Sequence, residues 1–149
     1  MEPIARMRDA RLLIKALRDP SSVETLDSGQ WTELISIARA ESLIGSLAHR
    51  VRDMTVPDRA RAVLQDAIEA HDLARQQALW EADCARRALA DCSGKIVLMK
   101  GTAYVAANLA AGVGRSIGDL DIMVPREDLP VVEAALLDAG WEWVKPDPY

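Results

Sequence analysis

Phenylalanine is absent from the 149 residues, and Trp and Tyr bring the aromatic content to only 4 %. An interior without many large rings must be closed by Ala, Leu, Val and Ile, with four Trp as its bulkiest units; half of the residues are hydrophobic, enough for such a core. Cysteine is scarce as well. Cys84 and Cys92 are too far apart for a C-x-x-C unit and have no neighbouring His, so no zinc site is expected from them. No apolar run approaches the roughly 18 residues that a membrane-spanning helix needs. The charged N-terminus has no apolar h-region of a secretory signal, which leaves a reducing cytoplasm as the expected compartment. Excess positive charge is missing too: the net charge is −5 and the pI about 5.0. That balance argues against a broad nucleic-acid footprint or an anionic membrane as partner. The one basic cluster, Arg6, Arg8, Arg11, Lys15 and Arg18, is interleaved with Asp9 and Asp19 and reads as a solvated helix face.

The length suits one domain, or a helical region packed on a small mixed one. There is no internal repeat and no low-complexity tract. Residues 1–92 read as helices. Met7, Ala10, Leu13, Ile14 and Leu17 recur at helical spacing until Pro20 ends the segment. Asp27 or Ser28 caps a second helix with Trp31, Leu34, Ile35 and Ala38 on one face. Its continuation carries Leu43, Ile44, Leu47 and Val51. Pro57 opens a third segment of roughly 30 residues through Val63, Leu64, Ala67 and Ile68, along which Leu73, Trp80, Cys84 and Ala88 can line one side.

At Ser93-Gly94 the texture changes, and residues 93–149 read as an α/β module. KIVLM, from Lys95 to Met99, is a short continuous apolar run of the kind a buried strand shows. Gly101 follows, then TAYVAANLAA, a helix of small residues stopped by Gly112. DLDIMV is a second strand, ended by Pro125. Asp128 caps another helix, with Pro130 in its first turn, Val132, Ala135, Leu136 and Ala139 on one face, and Gly140 as its stop. WEWV starts a third strand. The expected class is therefore α+β: an all-α region followed by a mixed sheet with flanking helices. That last strand begins about eight residues from Tyr149, so the sheet is expected to be cut off there.

Two acids stand inside the second expected strand. Residues i and i+2 of a strand share a face with Cα atoms roughly 6.5–7 Å apart, so Asp119 and Asp121 project together while Leu120 and Ile122 face the other side. Two such charges repel unless a cation sits between them, and a hard divalent ion, Mg²⁺ or Mn²⁺, would resolve the conflict. An isolated D-x-D is a weak signal, since both residues could simply reach solvent at a strand end. Its surroundings add weight. Leu98 to Gly101 ends one strand and opens a helix, offering backbone N–H groups to an anion; Gly101 permits close approach, and Lys100 adds positive charge. Arg115, in the Gly-rich connection GVGRSIG, could grip a triphosphate bidentately or pair with one aspartate.

With these residues in view, the chain resembles the family known as uncharacterised nucleotidyltransferases, within the DNA polymerase β superfamily. The resemblance rests on KIVLMKGTAYVAANL and GRSIGDLDIMVPREDLPVVEAALLDAGWE. They match a turn of "LLKG" type, a helix, then R-x-x-x-D-[IL]-D-[IL]-[LM]-V and a helix ending in Ala-x-Gly-[YW]. The helical segments QWTELISIARAESLIGSLAHRV and VPDRARAVLQDAIEAH extend the likeness over nearly the whole chain. The resemblance implies that Asp119 and Asp121 hold divalent ions bridging the phosphates of a nucleoside triphosphate, that Lys100 and Gly101 cradle the β/γ-phosphates, and that Arg115 makes a phosphate or structural contact. The implied reaction moves a nucleoside monophosphate to an unknown small-molecule, peptide or protein acceptor.

Two departures qualify this. The wider superfamily carries Gly-Ser where this chain has Lys100-Gly101. Its third carboxylate comes from a later strand; Glu142 in WEWV is an acid, but it falls too early for that role. Two other readings follow: a catalytically inactive binding module on the same fold, or a D-x-D glycosyltransferase. The latter is disfavoured because such motifs follow a longer nucleotide-binding segment. His49 and His71 have no paired ligand nearby and read as surface or partly packed residues. Trp141 and Trp143 are expected to cover the core, with base stacking as the alternative, and Cys84 to lie inside it. An unfinished sheet edge could invite pairing with a second copy.

Overall fold

The computed structural model describes residues 3–142, with side-chain surroundings from residue 10 onward. Four helices come first: α1 (Pro3–Arg18), α2 (Ser28–Ala40), α3 (Ile44–Arg50) and α4 (Asp58–Ala88). They are followed by β1 (Val97–Leu98), α5 (Lys100–Ala106), β2 (Ile122–Met123) and α6 (Leu129–Asp138). The class is α+β.

The helical core follows from the small apolar set that the composition forces. Leu13, Ala16, Val23, Trp31, Leu34, Ala38, Leu47, Ala48, Val51 and Leu64 are buried together, with Leu34, Leu47 and Val51 almost wholly sealed. Asp27 caps α2 as its sequence signals: the Asp27 carboxylate accepts from the Gln30 N–H, and the Gln30 side chain accepts from the Asp27 N–H. The Arg50 Nε donates to the Leu17 carbonyl at 3.0 Å, satisfying an otherwise open end of α1.

The expected continuation of α2 through Val51 is corrected. α2 stops at Ala40 and Ser42 turns with φ +57° before α3 restarts at Ile44, a left-handed step no helix can absorb. The face expected on α4 is also rotated. Leu73 is 56 % and Trp80 68 % exposed, and the buried positions are Ala60, Leu64, His71, Ala78 and Ala85. Small residues at that spacing admit neighbouring helices at close range, which a Trp would hold apart. Cys84 is only partly buried and takes an N–H from Arg87 at 3.3 Å. Ile14, expected on the inner face of α1, is 52 % exposed, while Leu13 and Ala16 face inward.

The described sheet is two-stranded and antiparallel, pairing Val97 with Met123 and Leu98 with Ile122. KIVLM is not a strand buried on both faces. Val97 and Met99 are exposed while Ile96 and Leu98 are half-buried, so only one face of the ribbon is covered. α5 ends at Ala106, before the expected stop, because Asn108 turns with φ +52°; Ala110–Gly112 then forms a short 3-10 turn. α6 ends as its sequence signals. Gly140 adopts φ +93°, its N–H donates to the Leu137 carbonyl, and the Trp141 N–H donates to Leu136, the Schellman pattern that needs a left-handed residue. The expected strand WEWV finds no support at Trp141 and Glu142, which are not in a strand; Trp143 and Val144 lie outside the described residues. Among the described residues no helix is long and apolar enough to cross a membrane.

Candidate functional site

The β1–α5 turn and the DLD segment, separate in sequence, meet in space. Continuing the antiparallel register by one residue sets Asp121 opposite Met99, and the Met99 N–H donates to the Asp121 carbonyl at 2.9 Å. Beyond it the ladder stops. Lys100 turns with φ +50° into the first turn of α5, so no extended backbone remains to pair with Leu120 or Asp119. The expectation that both aspartates sit inside a strand is thereby corrected: β2 begins at Ile122, and the two acids precede it.

Lys100 is the hinge of the arrangement. Its Nζ donates to Asp121 Oδ1 at 2.8 Å, with Asp121 27 % exposed and Lys100 64 % exposed. The Asp121 hydrogen bond, then its charge, raise the Lys100 ammonium above its ordinary pKa; slight burial opposes this, and the Asp119 charge adds to it. The Thr102 hydroxyl donates to the Asp119 carbonyl at 3.3 Å, which ties the first acid to α5.

Arg115 reaches the same corner. Its guanidinium carbon lies 5.4 Å from the centre of the Tyr104 ring, a cation–π distance, and a Cβ built on Gly101 would stand 3.5 Å from Arg115 Nε. Of the two roles left open for Arg115, pairing with an aspartate is not adopted: among the described residues it makes no ion pair. A cavity of about 300 Å³ adjoins this side chain and is lined by Arg39 and Arg115.

The loop bearing Arg115 is held against the helices by backbone contact. A Cβ on Gly45 would lie 2.5 Å from the Gly114 carbonyl oxygen, and one on Gly114, at φ +69°, would strike the Ser46 nitrogen. Only glycine at both positions lets α3 and the loop approach this closely. The neighbouring Gly112 carbonyl takes a contact from His71 Nε2 at 3.3 Å.

That contact belongs to a cluster the sequence did not disclose. The rings of His49 and His71 meet edge to face, with centroids 5.2 Å apart and planes at 81°. His71 Nδ1 lies 3.7 Å from Asp72 Oδ1. Burial, then the nearby His71, lower the His49 pKa from its usual 6.5; Asp72 pulls it up and Arg52 pushes it down. The two His stand on different helices, α3 and α4, so no spacing rule joins them. Glu142 is exposed, and among the described residues no third His, Cys, Asp or Glu joins Asp119 and Asp121 in a three-ligand group.

The structure thus gathers Lys100 against Asp121 at the strand–helix turn, with Thr102 on the Asp119 backbone and the Arg115 Nε close to Gly101. The chain belongs to the uncharacterised nucleotidyltransferase family, whose model matches residues 27–149. No curated protein and no solved structure matches it.

Proposed function

We propose that this protein transfers a nucleoside monophosphate from a nucleoside triphosphate to an acceptor hydroxyl, with Mg²⁺ or Mn²⁺ held by Asp119 and Asp121. The observation that carries this reading is the 2.8 Å contact between Lys100 and Asp121, which brings the LKG turn and the DLD segment into one place. The donor set fits the ion: two carboxylates supply hard oxygens, and Lys100, which rests against one of them, would have to give way. When bound, the ion would stabilise charge on the α-phosphoryl group and the leaving pyrophosphate.

The chain's own residues have separable tasks. Lys100, on a flexible stem, can exchange its partner Asp121 for a phosphate oxygen, which would leave the Asp121 carboxylate to hold the ion. Gly101, without a side chain, leaves room for that phosphate beside the α5 backbone. Arg115, which makes no ion pair among the described residues, can present its planar fork to a second phosphate. The polymerase β-like fold, and the division into a helical platform at 1–92 and a chemical module at 93–149, are part of the same proposal.

Isothermal titration with ATP, GTP, CTP and UTP, each with and without Mg²⁺, tests the reading, together with release of pyrophosphate. Binding should need the metal and weaken at least about tenfold, some 1.4 kcal/mol, when Asp119→Asn and Asp121→Asn are combined. Metal-independent binding, or binding indifferent to that double variant, overturns it. Metal-dependent binding with no transfer to any acceptor would instead mark a binding module.

A further inference from the structure

We propose that His49, His71 and Asp72 form a second, nitrogen-rich metal site for an ion of the Zn²⁺ class, separate from the aspartate pair. One ligand atom from each of the three lies within 4.8 Å of the others. A tetrahedral ion with bonds of about 2.0–2.1 Å keeps its ligand atoms roughly 3.3 Å apart. The cluster therefore has to close by at most about 1.5 Å, and Asp72, whose side chain is 59 % exposed, is free to turn toward the ion.

The hydrogen bonding points the same way. The Gly112 carbonyl can only accept, so its contact with His71 places the proton on Nε2 and leaves a lone pair on Nδ1, 3.7 Å from Asp72 Oδ1. Histidines that bind metals are oriented in this manner, one nitrogen donating to a backbone carbonyl and the other facing the ion. His71 Nδ1 and His49 Nε2 are both buried and neither has a hydrogen-bond partner among the described residues. Two unpartnered ring nitrogens, on rings whose centroids lie 5.2 Å apart, are a polar deficit that a single cation could satisfy. The structure assigns these two nitrogens and one Asp72 oxygen as the ligands.

The chemistry of the donors separates this site from the other. Two imidazoles and one carboxylate favour Zn²⁺ and its neighbours in the first transition row, whereas Mg²⁺ seeks oxygen. Three protein ligands leave a fourth position for water. The ion would staple the last turn of α3 to the middle of α4. Through the His71 bond to Gly112 it would also brace the loop that carries Arg115. The proposal does not depend on nucleotide transfer.

Titration of metal-free protein with Zn²⁺, followed by calorimetry and by the visible absorption of Co²⁺ in its place, tests the site. The expected result is one ion per chain with micromolar or tighter affinity, a raised thermal midpoint, and no comparable binding of Mg²⁺. Asp72→Asn, at an exposed position that should not disturb folding, should weaken Zn²⁺ at least tenfold; His49→Gln should weaken it a hundredfold. The combined Asp119→Asn and Asp121→Asn variant should bind it as before. No Zn²⁺ binding by folded protein, or binding unmoved by Asp72→Asn and His49→Gln, or binding lost with the aspartate pair, overturns the proposal.

Discussion

The ammonium of Lys100 and the carboxylate of Asp121 lie 2.8 Å apart, although Lys100 opens a helix and Asp121 precedes a strand. The pair is mostly solvent-exposed on the lysine side, so its own contribution to stability is small. Its effect on ligands is larger in consequence, because any cation approaching Asp121 must displace Lys100. Lys100→Ala should therefore bind Mg²⁺ alone more tightly, by about two- to fivefold, the weight of an exposed ion pair. The same variant should bind nucleoside triphosphate more weakly. Calorimetry with each ligand separately checks both signs, and a variant that lost affinity for Mg²⁺ would contradict the competition.

Gly114 is the tightest point between α3 and the Arg115 loop. Gly114→Ala would force a methyl onto the Ser46 backbone at a φ of +69°, and should lower stability by about 1–3 kcal/mol. Gly118 lies in the same connection with nothing within 4 Å of an added Cβ. Gly118→Ala should change stability by less than about 0.5 kcal/mol. Paired urea denaturation curves distinguish the two.

Acid should loosen the α3–α4 contact. Burial, His71 and Arg52 lower the His49 pKa below 6.5, with Asp72 opposing. As pH falls, the unfolded chain takes up the proton first. The stability that His49 contributes is therefore fully present above pH 6.5 and is lost as the pH falls through its lower folded value. Urea midpoints at pH 7.5 and 5.5, measured for metal-free protein, should differ more for the native chain than for His49→Gln.

The capping box at α2 carries a local share of stability. Asp27→Ala removes the acceptor of the Gln30 N–H and should destabilise by about 1 kcal/mol. Leu34→Ala, in the sealed centre of the helical core, should cost about 2–5 kcal/mol. Chemical denaturation followed by far-ultraviolet circular dichroism reads both.

What the sequence disclosed was local in origin. The Asp27 cap and the Gly140 stop are decided by a few neighbouring residues, and both stand where the pattern places them. The family likeness grouped the LKG turn with the DLD segment in one site, but the direct pairing of Lys100 with Asp121 was not read from the sequence. Ser42 was missed because serine rarely takes a positive φ, so its residue type does not signal the turn. Trp80 misled because a large apolar ring on a helix suggests burial, while the packing around α4 selects small residues. His49 and His71 escaped notice because their meeting depends on the crossing of α3 and α4, a property of the whole helical region.

Lys100 holds a left-handed backbone that glycine would adopt with less strain, at a penalty of roughly 1–2 kcal/mol for an ordinary residue. Selection for thermal stability alone should thus drift this position toward glycine. Selection for ligand binding should hold lysine in place, so a library randomised at residue 100 and sorted under each pressure would separate the two demands on a single codon.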